Sequence, residues 1–424
     1  MAGKPLAENL YDASIQLDWI RLLEPGTSAY DRLYVHRPRV EKVESELLRE
    51  AKRARRDRSF RWFFTGHTGS GKSTELSRIM TDQRLLASYH PIFIDLSSQF
   101  DLHNLDYTDV ILGLARACAE EAEALQVPSD GSLPEAIRRW GSKYVQEDEK
   151  STKAEGQAGL KLNLLLGILR AEVKSGGSRR ETIRKEISSS IMDFIRIIDL
   201  HVEAMETYLN KRILCVLDGL DHAEVNRSLE VLYNHFETLM LPKVSMIYVL
   251  PLALLNTPFL SQIEGQYSTV PNLKVFSEHG SEALDSDGFG FYRDLIARYV
   301  SLDFFESEAL ESLFKLSAGI VRDMIRHTSQ ACGHAADDGS LKVTTAHAEQ
   351  VWNEVRRFFR SQLRAEDYEV LRNVDKQPYL EGINGVPQLL HSKAVVFYPN
   401  GEGWYGVHPA VRKMIHSSRL AHGG

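Results

Sequence analysis

Residues 66 to 74 read GHTGSGKST, and no other stretch limits the fold of this chain so tightly. The pattern G-x-x-x-x-G-K-[ST] falls on Gly66, Gly71, Lys72 and Ser73. Glycines at 66, 69 and 71 let the backbone wrap with its N–H groups turned inward, toward phosphate oxygens. Lys72 is then the candidate for the terminal phosphates and Ser73 the hydroxyl for magnesium, with His67, Thr68, Ser70 and Thr74 completing the loop. A Gly-rich turn can arise by chance, but here RWFFT (Arg61 to Thr65) reads as a short apolar strand and STELSRIM (Ser73 to Met80) as a helix. Strand, glycine loop and helix in that order predict a nucleoside triphosphate site with Mg2+.

The stretch RILCVLDGLDH (Arg212 to His222) answers the first motif. An apolar strand that ends in acids is the second half of a P-loop site. Asp218 at the strand tip is placed to hold the metal through water, opposite Ser73, and Asp221 to orient or deprotonate an attacking water. Alone, DGLD would read as a tight Asp/Gly turn after a buried strand; paired with the glycine loop it reads as a phosphoryl-transfer site. Glu224 and His222 rival Asp221 as the base.

Around these motifs, apolar strands alternate with helices. HPIFIDL (His90 to Leu96) is a second strand, followed by a helix from about Tyr107 to Leu125. VSMIYVLP (Val244 to Pro251) and NLKVFS (Asn272 to Ser277) supply a fourth and a fifth. Such alternation builds an α/β fold with a parallel five-strand sheet, its ligands at the carboxyl ends of the strands. The rhythm breaks between 126 and 210, where polar, glycine-containing spacers flank short pieces, which reads as an insertion. A helix from about Glu181 to Asn210 closes it, with a stripe from Ile183 to Val202 at three- and four-residue steps.

The chain of 424 residues divides by this reading into a helical lead-in (1–59), a P-loop core (60–280, insertion included), a small helical lid (281–343) and a C-terminal unit (344–424). A net charge of −7 argues against a general nucleic-acid coat, although a local basic face remains open. Cys118, Cys215 and Cys332 are scattered, so no zinc site or disulfide framework is suggested and a cytoplasmic setting is expected. The apolar run AGLKLNLLLGILRAEV (Ala158 to Val173) is interrupted by Lys161, Asn163 and Arg170 and is shorter than the ~20 residues of a membrane span. No membrane partner is expected.

The C-terminal unit starts with the helix HAEQVWNEVRRFFRSQL (His347 to Leu363). AVVFY and WYGVH then alternate around the turn residues 399–403, a hairpin signature. Helix, hairpin and helix predict a winged helix-turn-helix. Arg356, Arg357, Arg360 and Arg364 form a basic face, either solvated, packed at a domain interface, or available to phosphates of nucleic acid.

Taken together, YVHR (Tyr34 to Arg37), GHTGSGKST, the strand ending DGLD and SAGIVRDMIRHTSQA (Ser317 to Ala331) resemble the additional-strand P-loop ATPases, of the AAA+ and STAND groups, with an origin-initiator look. That resemblance implies ATP as the nucleotide, Tyr34 and Val35 lining the adenine pocket, and Arg322 reaching over the phosphates from the lid. It also implies a slow ATPase switch whose nucleotide state governs domain closure, assembly with its own copies or a protein partner, with a role in bacterial defence among the settings. The alternative is an ATP-licensed DNA-binding protein acting through the winged helix; a P-loop kinase comes third. Two departures stand out. The fourth strand ends in Val249-Leu250-Pro251, with Asn256 the nearest polar candidate for a first sensor. No arginine occurs between Val244 and Leu273 to act on a neighbouring subunit, which leaves Arg293 and Arg298 as substitutes.

Overall fold

The computed structural model describes residues 7–20, 22–36, 40–54, 59–128, 178–380, 383–398 and 403–420. Arg37, the apolar run 158–173, the spacers between 129 and 177 and the hairpin turn 399–402 lie outside the described residues. Among those described, no helix is long and apolar enough to cross a membrane.

Five parallel strands form the central sheet: β1 (Arg61–Gly66), β2 (Tyr89–Asp95), β3 (Arg212–Asp218), β4 (Ser245–Pro251) and β5 (Tyr267–Thr269). They lie in the order β2-β3-β4-β1-β5, so β4 stands between the glycine-loop strand and the strand that ends in Asp218. Side chains alternate between faces. Trp62 and Phe64 pack on one side with Leu214, Val216, Ile247 and Val249, under α3 (Val40–Arg53) and α4 (Lys72–Met80). Phe63, Cys215, Leu217 and Tyr248 face the other side, under α5 (Tyr107–Ala124) and α7 (Ile191–Leu209). Near-continuous apolar runs are what a parallel sheet buried on both faces requires.

Two expected elements differ. Residues 272–277 are not the fifth strand. That place is taken by Tyr267–Thr269, which pairs with Phe63 to Thr65. The Val270 N–H still donates to the Thr65 carbonyl (2.7 Å), but Pro271 after it has no N–H to extend the ladder. Beyond it the chain turns toward the helices that follow the sheet, and the Leu273 N–H donates to the Gly319 carbonyl (3.0 Å). The helix expected over 181–210 is two, α6 (Ser178–Ser189) and α7, broken at Ser190 (φ −130°). α7 ends at Asn210 in the left-handed region (φ +49°), a common helix stop.

Helices α8 (Ser286–Ala297), α9 (Ser307–Leu316) and α10 (Val321–Asp337) follow the sheet. At the amino terminus, α1 (Leu10–Gln16) packs along α10, where Ser329 Oγ donates to the Ser14 carbonyl (2.7 Å). α2 (Ser28–Leu33) leads from it toward the sheet. The chain closes with α11 (Thr345–Gln362), α12 (Ala365–Val374), α13 (Val386–His391), the antiparallel pair β6 (Val395–Tyr398) and β7 (Trp404–Val407), and α14 (Pro409–Leu420). This last group, called here the hairpin unit, shares one apolar core with the sheet: Val386, Leu389, Val395 and Val411 belong to the same cluster as Phe63 and Tyr248. The loop at the carboxyl end of β1 is thereby enclosed by α10 on one flank and the hairpin on another.

Candidate nucleotide site

The glycine loop leaves β1 and enters α4 through Gly71, whose left-handed conformation (φ +92°) carries no side-chain cap. The first N–H groups of α4 are therefore presented to the cleft, as an anion site needs. Gly69 (φ +91°) shows why only glycine serves there: an added Cβ would lie 2.8 Å from Arg322 Cβ. The Arg322 N–H donates to the Gly69 carbonyl (3.0 Å), so the start of α10 is fastened to the loop and Arg322 lines the cleft.

Lys72 is buried, with 4% of its side chain exposed. Its ammonium donates to the carbonyls of Gly66 (3.0 Å) and His67 (3.1 Å) and pairs with Asp221 Oδ2 at 2.7 Å. Burial pushes the Asp221 carboxyl up, but the charges of Lys72 and His222 outweigh it and hold this acid below the usual carboxylate range. Asp218 goes the other way. Burial, then the negative charge of Asp221, raise it, only partly opposed by a hydrogen bond from the Ser73 hydroxyl and by one from the Gly219 N–H (2.8 Å). Among the described residues Asp218 has no ion-pair partner.

These contacts bring the two motifs together: Ser73 meets Asp218 and Lys72 meets Asp221. A half-buried carboxylate that burial and an acidic neighbour raise despite the nearby charge of Lys72, beside a hydroxyl, is an oxygen pair suited to a hard cation. No cluster of three or more metal-ligating acids, histidines or cysteines occurs among the described residues. Mg2+ keeps several waters and takes one or two protein oxygens plus substrate phosphates, which is what Ser73 and Asp218 could offer. Glu224 lies away from the pair, 70% exposed beside His103, whereas His222 lines the cleft.

Beyond the phosphate end, the cleft encloses about 150 Å³. Tyr34 and Val35 line it, as do Gly71, Ser73 and Thr74. The Tyr34 hydroxyl donates to Glu75 (3.0 Å to Oε2), and its ring stacks on Tyr30. Much of the apolar wall comes from residues with no sequence signature: Trp19, Ile20, Leu22, Leu295 and Ile325. Ile20 is 73% and Leu22 49% exposed. Their clustering at a cleft mouth, rather than their exposure singly, is the signal that an apolar ligand surface is expected there.

The loop residues before Gly69 serve another neighbour. His67 is buried and its Nε2 accepts a hydrogen bond from the Phe397 N–H in β6 (2.9 Å). Burial, with the nearby charges of Lys393 and Lys72, depresses its imidazole to about 3, so it is neutral. Thr68 faces a second cavity beside the hairpin unit. Asn256 is not at the cleft: it hydrogen-bonds with the Tyr405 hydroxyl of β7 (3.3 Å). Arg293 and Arg298 are exposed and do not line the cleft.

No family profile and no curated protein matches the chain in sequence. Among solved structures, it is similar to Cdc6p from Pyrobaculum aerophilum (12% identity, TM-score 0.42, 94% of this chain and 98% of that one). The Orc1 protein of Aeropyrum pernix, solved in complex with DNA, gives 12% identity and a TM-score of 0.40 over 97% and 98% of the two chains. The RuvB Holliday junction branch migration motor of Thermotoga maritima gives 14% and 0.37 over 93% and 99%. Likeness at this level leaves function to be argued from the residues themselves.

Proposed function

We propose that the chain is a slow ATPase that works as a nucleotide-controlled switch of the AAA+/STAND kind. The observation that carries this reading is the Lys72–Asp221 pair at 2.7 Å, which joins the end of the glycine loop to the acids after β3. With ATP bound, Lys72 leaves Asp221 for the phosphates and Asp221 is freed to align the attacking water. Backbone N–H groups of the loop and Lys72 stabilise charge on the phosphates. Ser73 and Asp218 would hold Mg2+, which when bound would neutralise phosphate charge. Arg322, fastened to Gly69, carries the nucleotide state into α10.

The hairpin unit, read as a winged helix, acts as the lid. Its edge touches the loop through His67 and Phe397, and the Tyr398 hydroxyl donates to the Ala318 carbonyl (3.0 Å) just before α10. Isothermal titration with ATP and Mg2+ tests the reading: the parent chain binds, Lys72→Ala loses binding, and Asp221→Asn binds while releasing phosphate more slowly. Absence of binding by any nucleoside triphosphate would defeat it. Light scattering with ADP and with a non-hydrolysable analogue then reports whether assembly follows the nucleotide.

A second reading has one observation in its favour: Arg357, Arg360 and Arg364 are exposed on and after α11, where they can meet DNA phosphates. Arg356 is already engaged with Glu349 and Asn353. Against it, α13, the helix that would enter a groove, packs on residues 252–256 of the core. DNA binding by this route therefore requires the hairpin unit to undock first, and is expected to be weak in the closed chain and steeply salt-dependent.

A further inference from the structure

A second cavity of about 550 Å³ opens on the far side of Asp221 and His222, between the glycine loop, α10, α11 and the hairpin unit. Its size is that of a small-molecule pocket, roughly 300–1,000 Å³, and far beyond the ~30 Å³ of one water. One wall is apolar, made by Val355, Phe358 and Phe359; the Phe358 ring is 58% exposed. The facing wall is α10, where His327 and Gln330 are three residues apart and share a helix face.

Both of those residues hold a buried polar atom with no hydrogen-bond partner: His327 Nδ1 and Gln330 Oε1. Their roles follow from what their other atoms do. The Arg326 guanidinium can only donate, and it contacts His327 Nε2 (3.2 Å), so the proton of the neutral ring is on Nδ1. Burial keeps this ring neutral, depressing it to about 3. Gln330 Nε2 donates to Glu354 (3.4 Å), which leaves Oε1 as the acceptor. A donor and an acceptor three residues apart on one helix face, neither satisfied within the protein, are the complement of a lactam or amidine edge.

Charge narrows the class further. Arg326 and Lys393 line the cavity, but both are already paired with the buried Asp323, so neither lining cation is left over for a phosphate. We propose that this cavity binds an unphosphorylated heterocycle of the nucleobase class, its ring against Phe358 and Phe359 and its acceptor–donor edge on His327 Nδ1–H and Gln330 Oε1. Lys393 and His408 of the hairpin unit line the same cavity. A ligand there bridges α10 and the hairpin unit and favours their docked arrangement. The site does not depend on the triphosphate reading above.

The test uses the full chain with adenosine, guanosine, cytidine and uridine, and their 5′-monophosphates, by saturation-transfer NMR and calorimetry in excess ADP. At least one nucleoside is expected to bind more tightly than its monophosphate. Its Kd rises about tenfold, or 1.4 kcal/mol, in Gln330→Leu and in the surface variant Phe358→Ala, which keeps the proposal testable if the first does not fold. Leu22→Ala, at the nucleotide cleft, leaves it unchanged. No nucleoside binding at millimolar concentration, tighter binding of the monophosphates, or loss with Leu22→Ala but not with Gln330→Leu would overturn the assignment. Because the cavity is read out separately from ADP, its failure is distinct from failure of the ATPase reading.

Discussion

Lys393 Nζ lies 2.9 Å from Asp323 Oδ2, tying the turn before β6 to the first turn of α10. Asp323 is buried, 3% exposed at the side chain, and Arg326 adds a second cation 3.1 Å from its other oxygen. Burial pushes this carboxyl up, but Lys393, His327 and Arg326 hold it well below the usual range. Lys393 also adopts a left-handed backbone (φ +65°), which costs a non-glycine residue about 1 kcal/mol. That strain is tolerated where the side chain has a fixed partner.

Removing the ammonium leaves a buried carboxylate with one cation fewer. Lys393→Ala is expected to destabilise the chain by about 2 kcal/mol, and Lys393→Ala with Asp323→Ala by less than the single change. Hydrogen exchange is the decisive readout: β6 and β7 are expected to lose protection while β1 to β4 keep theirs. Uniform loss across the sheet would mean the pair supports the fold as a whole rather than the docking of the hairpin unit.

Acid is expected to open the same junction. His67, His327 and His408 are buried there and each is depressed to about 3, by burial first. Lys393, Lys72 and Arg326 add to the depression, and Asp323 opposes it. Neutral imidazoles contribute stability that is present above their unfolded value of 6.5 and is lost as pH falls toward 3. Each proton taken up on opening adds a slope of about 1.4 kcal/mol per pH unit. His67 has the most direct reason, since protonating Nε2 removes the acceptor for the Phe397 N–H. Urea titrations between pH 7 and pH 5 check this; His408→Gln is expected to flatten the slope.

Gly69→Ala tests the fastening of α10 to the loop. The new Cβ would sit 2.8 Å from Arg322 Cβ, on a backbone held at φ +91°, a combination worth about 2 kcal/mol of strain. Stability is expected to fall by that order, and nucleotide affinity with it, because the change displaces Arg322 from the cleft. An alanine variant that binds nucleotide like the parent would show that the contact between loop and α10 is incidental.

The sequence exposed those parts of the site that have a local signature. The loop, β1 and β3 are short-range patterns of glycines, apolar runs and terminal acids, and their strands fall within a residue or so of expectation. β5 was hidden because Tyr267–Thr269 is three polar-edged residues long, while the apolar KVF after it pairs with nothing in the sheet. The Trp19 and Ile20 wall has no periodicity. The His67 contact to Phe397 joins residues 330 positions apart, which only the packing of the hairpin unit produces. The two motifs predicted that a triphosphate site exists; they carried no information about what closes over it.

Asp218→Asn gives the least expected outcome. In the ligand-free chain this acid is raised by burial and by Asp221, so its ionised form costs stability once pH rises above the unfolded carboxylate value. A neutral amide of the same shape relieves that repulsion, and the variant without nucleotide is expected to be more stable than the parent at pH 7. The gain should vanish near pH 3, where the acid is protonated in both states. The same change removes the carboxylate proposed to hold Mg2+, so the extra thermal stabilisation that ATP with Mg2+ gives over ATP alone is expected to disappear. Thermal denaturation with and without Mg2+ separates these effects. A variant that is less stable without ligand, yet keeps the Mg2+ increment, would place the metal elsewhere and leave Asp218 a structural cap on the Gly219 turn.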